Sequence, residues 1–225
     1  MNMNKIIKLT LLLVLIFNCS YGQQRVTIKK IESRLITNEG VAFVGELKDK
    51  GNDHYMFPKW NNNGVLFVGN NVYGFGNINF NISTNSIDSR VSRDKFFMFK
   101  STSVDSVSIN GHMFKKVGNT LYEVLYEKKN DMFLKKYDIK YTAGHEGRMG
   151  GVQGASQTTV VYKYVVKSND EFKRVELNKK SITALFENKK DVLESFVKKE
   201  RLSFKKEKDI IRMFEYLSEY SSSII

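Results

Sequence analysis

Val104-Asp105-Ser106-Val107-Ser108-Ile109-Asn110-Gly111-His112-Met113-Phe114-Lys115-Lys116-Val117 is the stretch that decides the fold. Apolar residues at 107, 109 and 113 alternate with polar neighbours, the mark of strands with one buried face. Asn-Gly between two such runs is the strongest short hairpin signal, because both residues tolerate the positive φ that a tight antiparallel turn requires. The stretch therefore predicts two antiparallel strands, 104–109 and 113–117.

The same pattern continues outward. Val65-Leu66-Phe67-Val68 is bounded by Asn61-Asn62-Asn63-Gly64 and by Gly69-Asn70-Asn71, and Ile78, Phe80 and Ile82 alternate with Asn79, Asn81 and Ser83. Residues 95–100, 120–127, 132–141, 158–167 and 172–177 read as further strands, the last pair joined over Ser168-Asn169-Asp170. Tight turns connect antiparallel neighbours, whereas parallel strands need long crossovers. Tyr122, Tyr126, Tyr162 and Tyr164 sit on alternating faces of these strands.

After Asn178 the period changes. Ile182, Leu185 and Phe186, then Val192, Leu193, Phe196 and Val197, then Ile210, Met213, Phe214 and Leu217 form helical stripes. Asn178 and Asn188 are candidate helix caps, and 206–218 is a final amphipathic helix with Phe214 expected to be buried. The expected fold is mainly β: an antiparallel β-sandwich or open barrel, 23–178, carrying two to three C-terminal helices, 179–225, packed on the sheet.

The first residues read as a cleavable signal peptide, 1–22: Lys5 and Lys8, an apolar run from Leu9 to Phe17, then Ser20, Tyr21 and Gly22 before Gln23. That run is about half the length needed to span a bilayer. A periplasmic or secreted location follows, with no transmembrane segment after cleavage. The alternative is a lipoprotein anchored through Cys19, the sole cysteine. Removing Lys5 and Lys8 leaves 34 basic against 24 acidic residues. A basic surface attracts anions, and an exported protein meets anionic envelope components or acidic proteins rather than nucleic acid.

No catalytic, cofactor-binding or metal-ligating constellation emerges. His54, His112 and His145 are scattered, and His145-Glu146 lacks the second histidine of a zinc helix because Met149 stands there. Gly154-Ala155-Ser156-Gln157-Thr158 fails as a nucleophile elbow, lacking the final glycine and a following helix. The glycine-rich stretch 144–157 reads as a long loop between two strands. Tyr55, Phe57 and Trp60 around Pro58 suggest either a sugar-stacking platform or a packed loop, and Lys198, Lys199, Arg201, Lys205, Lys206 and Lys208 either a head-group contact or a solvated helix face.

Val65-Leu66-Phe67-Val68 with Tyr73 and 77–81, the run 117–126, Leu134-Lys135-Lys136-Tyr137 and the ending 196–205 with 208–211 resemble a group of uncharacterised exported proteins of Gram-negative bacteria. That resemblance implies an envelope protein and supplies no site residues. The function expected is non-enzymatic binding of a lipid or other hydrophobic ligand; the alternative is a surface interaction or structural protein using its basic face, and a hydrolase is the weaker third reading.

Overall fold

The computed structural model describes residues 27–28, 34–36, 42–100, 104–142, 145–146, 152–153, 157–169 and 171–219. The segment read as a signal peptide, with Cys19, lies outside them. The described chain is mainly β, its strands antiparallel and its two main sheets open rather than closed into a barrel, with three C-terminal helices. It divides into two compact units interleaved along the sequence.

The first unit comprises the chain up to Gly51 together with Phe57–Asn79 and Ile87–Asn110. Strands β1 (Thr27–Ile28), β2 (Arg34–Ile36), β3 (Ala42–Asp49), β8 (Lys95–Phe99) and β7 (Ser86–Arg90) follow one another in space, and β4 (Asn63–Val68) pairs with both β5 (Asn71–Gly76) and β9 (Ser106–Ile109). Leu66, Ile78, Val107 and Ile109 are fully buried. Phe97 meets Phe99 edge to face at 5.0 Å, and Phe99 meets Phe75 at 5.3 Å. Gly45 makes room for this packing: a Cβ there would stand 2.3 Å from Phe97 Cζ. Asp88, buried on β7, is neutralised by Lys48 of β3 at 2.8 Å.

The second unit comprises Asn52–Met56, Phe80–Ser86 and Gly111–Ile225. The chain enters its long part at the turn predicted from Asn-Gly, where Asn110 has φ 50 and Gly111 φ 84, the left-handed pair that such a hairpin turn demands. Strands β16 (Glu171–Val175), β15 (Gln157–Ser168), β12 (Asp131–Thr142), β11 (Thr120–Lys128) and β10 (His112–Val117) lie in that spatial order. The remaining strands in chain order are β6 (Ile78–Asn81), β13 (His145–Glu146) and β14 (Val152–Gln153). The last two pair with each other, so the stretch 144–157 is not loop throughout; its remaining residues, Gln157 apart, lie outside those described.

Helices α1 (Lys179–Leu185), α2 (Lys190–Lys199) and α3 (Glu207–Ser218) follow. Asn178 caps α1 as expected, accepting from the backbone N–H of Ser181 at 2.8 Å. Asn188 caps nothing: it lies inside a single tight turn, Glu187–Lys189, and α2 begins one residue later behind Lys189. A capping side chain needs extended backbone at its own position, and the short link between α1 and α2 leaves none there. The apolar stripes of all three helices join one core with the sheet, containing Phe133, Val166, Val175, Ile182, Leu185, Phe186, Leu193, Ile210, Met213, Phe214 and Leu217. At the C-terminal end of α3, Lys128 Nζ donates to the Ser218 carbonyl at 3.0 Å, which suits the partial negative charge of that terminus.

Candidate functional site

On β12, residues 133, 135 and 137 share the face that the helices cover, as alternation requires. Phe133 belongs to the core beneath α3, and the next two positions carry Lys135 and Tyr137. Opposite them, Glu123 of β11 pairs with Lys135, and Tyr126 pairs with Phe133, with a bulge between Val124 and Tyr126. The extra residue of a bulge shifts the alternation by one. Glu123 and Tyr126, three apart in sequence, thereby both face the helices.

Glu123 is 6% exposed and its carboxylate is surrounded by donors. Tyr137 Oη donates to Oε2 at 2.5 Å, His112 Nδ1 of β10 donates to Oε1 at 2.5 Å, and Lys135 Nζ stands 3.8 Å from Oε2. Lys135 Nζ also reaches Glu207 Oε2 at 2.8 Å, and Tyr164 Oη of β15 donates to that same oxygen at 3.0 Å. Glu207 opens α3, where a negative charge suits the helix dipole. Asp209, also in the first turn, accepts from the Ser203 N–H at 3.0 Å and holds the approach to the helix. Lys135 Nζ lies over the rings of Tyr162 and Tyr137, 4.6 Å and 5.2 Å from their centroids, a favourable cation–π arrangement.

Burial pushes the Tyr137 phenol well above its ordinary range, helped by its bond to Glu123; Tyr164 is raised in the same way, by burial and then by Glu207. A phenol that ionises at about pH 10 when unfolded but later when folded gives stability that is complete below that pH and lost above it. Stability should therefore fall as pH rises past about 10, Tyr137 contributing at most about 1.4 kcal/mol per pH unit. Urea midpoints between pH 8 and 11 should decline less steeply in Tyr137→Phe than in the parent; parallel curves would show that the phenol is not held.

Chemically, each acid and base of this network is engaged by another member of it. Two carboxylates, one ammonium, an imidazole and two phenols tie β10, β11, β12 and β15 to the first turn of α3. The network backs an exposed surface. Strands β12 and β15 pair without interruption from Asp131↔Ser168 to Thr142↔Gln157, but β11 stops pairing with β12 at Lys135 and β16 stops pairing with β15 at Tyr164. Residues 136–142 and 157–163 thus form a two-stranded ribbon that no third strand flanks among the described residues. Its helix-side face continues past Tyr137 with Ile139, Tyr141, Val160 and Tyr162; Tyr141 is 69% and Tyr162 51% exposed. The opposite face carries Lys136, Asp138, Lys140 and Lys163, with Lys163 Nζ bonded to Asp138 at 2.6 Å, and that bond holds the Asp138 carboxyl below its usual range.

The fork between β11 and β12 is sealed by Asn85, whose side chain accepts from the Leu121 N–H at 2.8 Å and donates to the Leu121 carbonyl at 3.0 Å. The amide of one residue takes the place of a strand neighbour. Phe80, from the same short segment, stacks on Phe114 at 4.6 Å and meets Tyr137 edge-on at 5.8 Å.

Of the three histidines weighed in the sequence, only His112 enters this network. His54 lies against Ser83, its Nδ1 3.4 Å from Oγ, and His145 pairs with Gln153 across β13 and β14. Among the described residues no group of three or more histidine, aspartate or glutamate side chains is arranged to hold a metal ion. Trp60 packs on Phe96 at 4.8 Å and the Phe57 N–H is bound by Asn79 at 3.1 Å, whereas Tyr55 bridges to Asn81 and bonds Asp53. The lysines and arginine between 198 and 208 are exposed around the turn from α2 to α3. Glu123, Lys135 and Glu207 were not legible as a group. No helix among the described residues is long and apolar enough to cross a membrane.

No protein-family model, no curated protein and no solved structure matches the chain. The fold and the site together define a mainly β protein with open antiparallel sheets, a C-terminal helical layer, and a β-ribbon projecting from a buried ionic network.

Proposed function

We propose that this is an exported, non-enzymatic interaction protein of the bacterial envelope, and that its working surface is the ribbon face formed by Ile139, Tyr141, Val160 and Tyr162. The observation that carries this reading is the exposure of two tyrosines on a ribbon that no third strand flanks among the described residues. An isolated two-stranded hairpin is marginal in water, and tyrosine is enriched where proteins meet, since its ring brings large contact area and a polar tip. The other reading, a carrier of a hydrophobic ligand, calls for an apolar cavity. Against it stand the stacked rings of Phe80 on Phe114 and of Phe133 on Phe214, which occupy the middle of the second unit. The export part of the proposal rests on the signal-like start of the sequence.

Replacing Tyr141 or Tyr162 by the photo-crosslinker benzoylphenylalanine tests the reading in intact cells. Irradiation should give discrete protein adducts at both positions and none at Lys179, an exposed residue of α1. Absence of adducts at both tyrosines, or stoichiometric lipid extracted from the purified protein, would overturn it.

A further inference from the structure

Resting on that interaction reading, we infer that the ribbon takes up an extended acidic segment of another protein as an added strand along the outer edge of β12, with apolar and acidic residues alternating in the segment. The geometry supplies three separate requirements.

The first is an open edge. Among the described residues, the seven of β12 from Lys136 to Thr142 pair only with β15, and at about 3.3 Å per residue they span about 20 Å. In an antiparallel pair alternate residues turn their N–H and C=O groups away from the partner, so the outer edge of β12 presents a row of donors and acceptors, in which the Ile139 N–H donates to the adjacent Asp138 Oδ1 at 3.0 Å and must exchange that bond for the added strand. Strand addition uses such a row for affinity and the alternating side chains for selectivity.

The second is alternation. Along this edge Tyr137, Ile139 and Tyr141 face one side and Lys136, Asp138 and Lys140 the other. Directly opposed cross-strand side chains interact in pairs, so the matching segment sets apolar residues against Ile139 and Tyr141 and acidic residues against Lys136 and Lys140. The β15 edge lacks this pattern, since it runs through Thr158, Thr159, Val160 and Val161.

The third is charge. The ribbon bears three lysines and one aspartate, and the whole chain has a formal charge of +12. A second copy would bring like charge to the edge, whereas an acidic segment is attracted to it. Edge lysines also discourage self-pairing of strands, which fits an edge kept for a different chain.

The probe is a fluorescein-labelled eight-residue peptide alternating valine and glutamate, titrated against the full chain by fluorescence anisotropy. Saturable binding is expected, at least tenfold tighter than for a peptide of the same composition with its glutamates consecutive. Methylating the peptide's backbone nitrogens at every second residue should abolish binding in one of the two possible phases and spare it in the other. The variant Lys136→Glu/Lys140→Glu should bind at least tenfold more weakly with an unchanged thermal melt. Equal binding of the two peptides, indifference to N-methylation in both phases, tighter binding of a short DNA duplex, or a dimer in sedimentation that Tyr141→Ser dissolves would each overturn the inference. Crosslinks at Tyr141 in cells, found together with such a negative result, would leave the broader interaction reading standing and remove only the added strand.

Discussion

Phe214→Ala should destabilise the protein by about 3 to 5 kcal/mol, the usual range for deleting a core phenylalanine. Phe214 has 0% exposure. Its ring stacks on Phe133 at 5.0 Å with 10° between planes, meets Phe186 edge-on at 5.1 Å and lies 5.5 Å from Tyr126. One side chain therefore joins α3 to the segment behind α1 and to two strands. A helix of twelve residues is marginal alone, so α3 depends on this contact. Set against the 5 to 15 kcal/mol of a typical domain, the loss should appear as a large drop in the urea midpoint and rapid proteolysis at the C-terminal end. A near-unchanged melt would mean that the helix does not need its dock.

Glu123→Ala should cost a comparable amount, again about 3 to 5 kcal/mol, because removing one partner of a buried ionic group strands the others. The Tyr137 hydroxyl would lose its acceptor, and Lys135 would keep only Glu207. Glu123→Gln, which retains an acceptor of similar shape, should cost less. Glu123→Leu combined with Tyr137→Phe should recover part of the loss, since removing both partners of a buried hydrogen bond leaves no orphaned polar group. Urea denaturation of the three variants separates these cases. Equal, sub-kilocalorie effects throughout would show that solvent screens the network.

Much of this architecture follows from local pattern. The alternation around Asn110-Gly111 predicts β9 and β10, the runs after Gly118 and Asn130 predict β11 and β12, and the shift to helical spacing after Asn178 predicts the three helices. Other strands are concealed. In β5 the buried Tyr73 and Phe75 alternate with Gly74 and Gly76, and glycine ordinarily signals a turn. In β7, Ser86 and Asp88 are buried polar residues, so no apolar face is visible until Lys48 is known to neutralise Asp88. The site is concealed for a different reason. Glu123 and Lys135 meet only in the β11–β12 register, the bulge at residue 125 makes that register unpredictable from alternation, and Glu207 arrives from a helix docked by its other face. The ribbon, by contrast, is written in the lengths of strands: β12 and β15 are each twelve residues long while their neighbours β11 and β16 have nine and five.

The interleaving of the two units along the chain governs the order of synthesis. Phe80 and Asn85 leave the ribosome 34 and 36 residues before Phe114 and Leu121, the groups that they stack on and hydrogen-bond in the second unit. Until those later residues emerge, Phe80 has no ring to lie on and must be kept from competing contacts, a period during which an exposed aromatic invites aggregation. Neither unit is a contiguous piece of chain, so scission at the Asn110-Gly111 turn would separate the second unit from its own fork-sealing segment. For a chain synthesised from its N-terminus, the second unit is assembled from parts made at three different times.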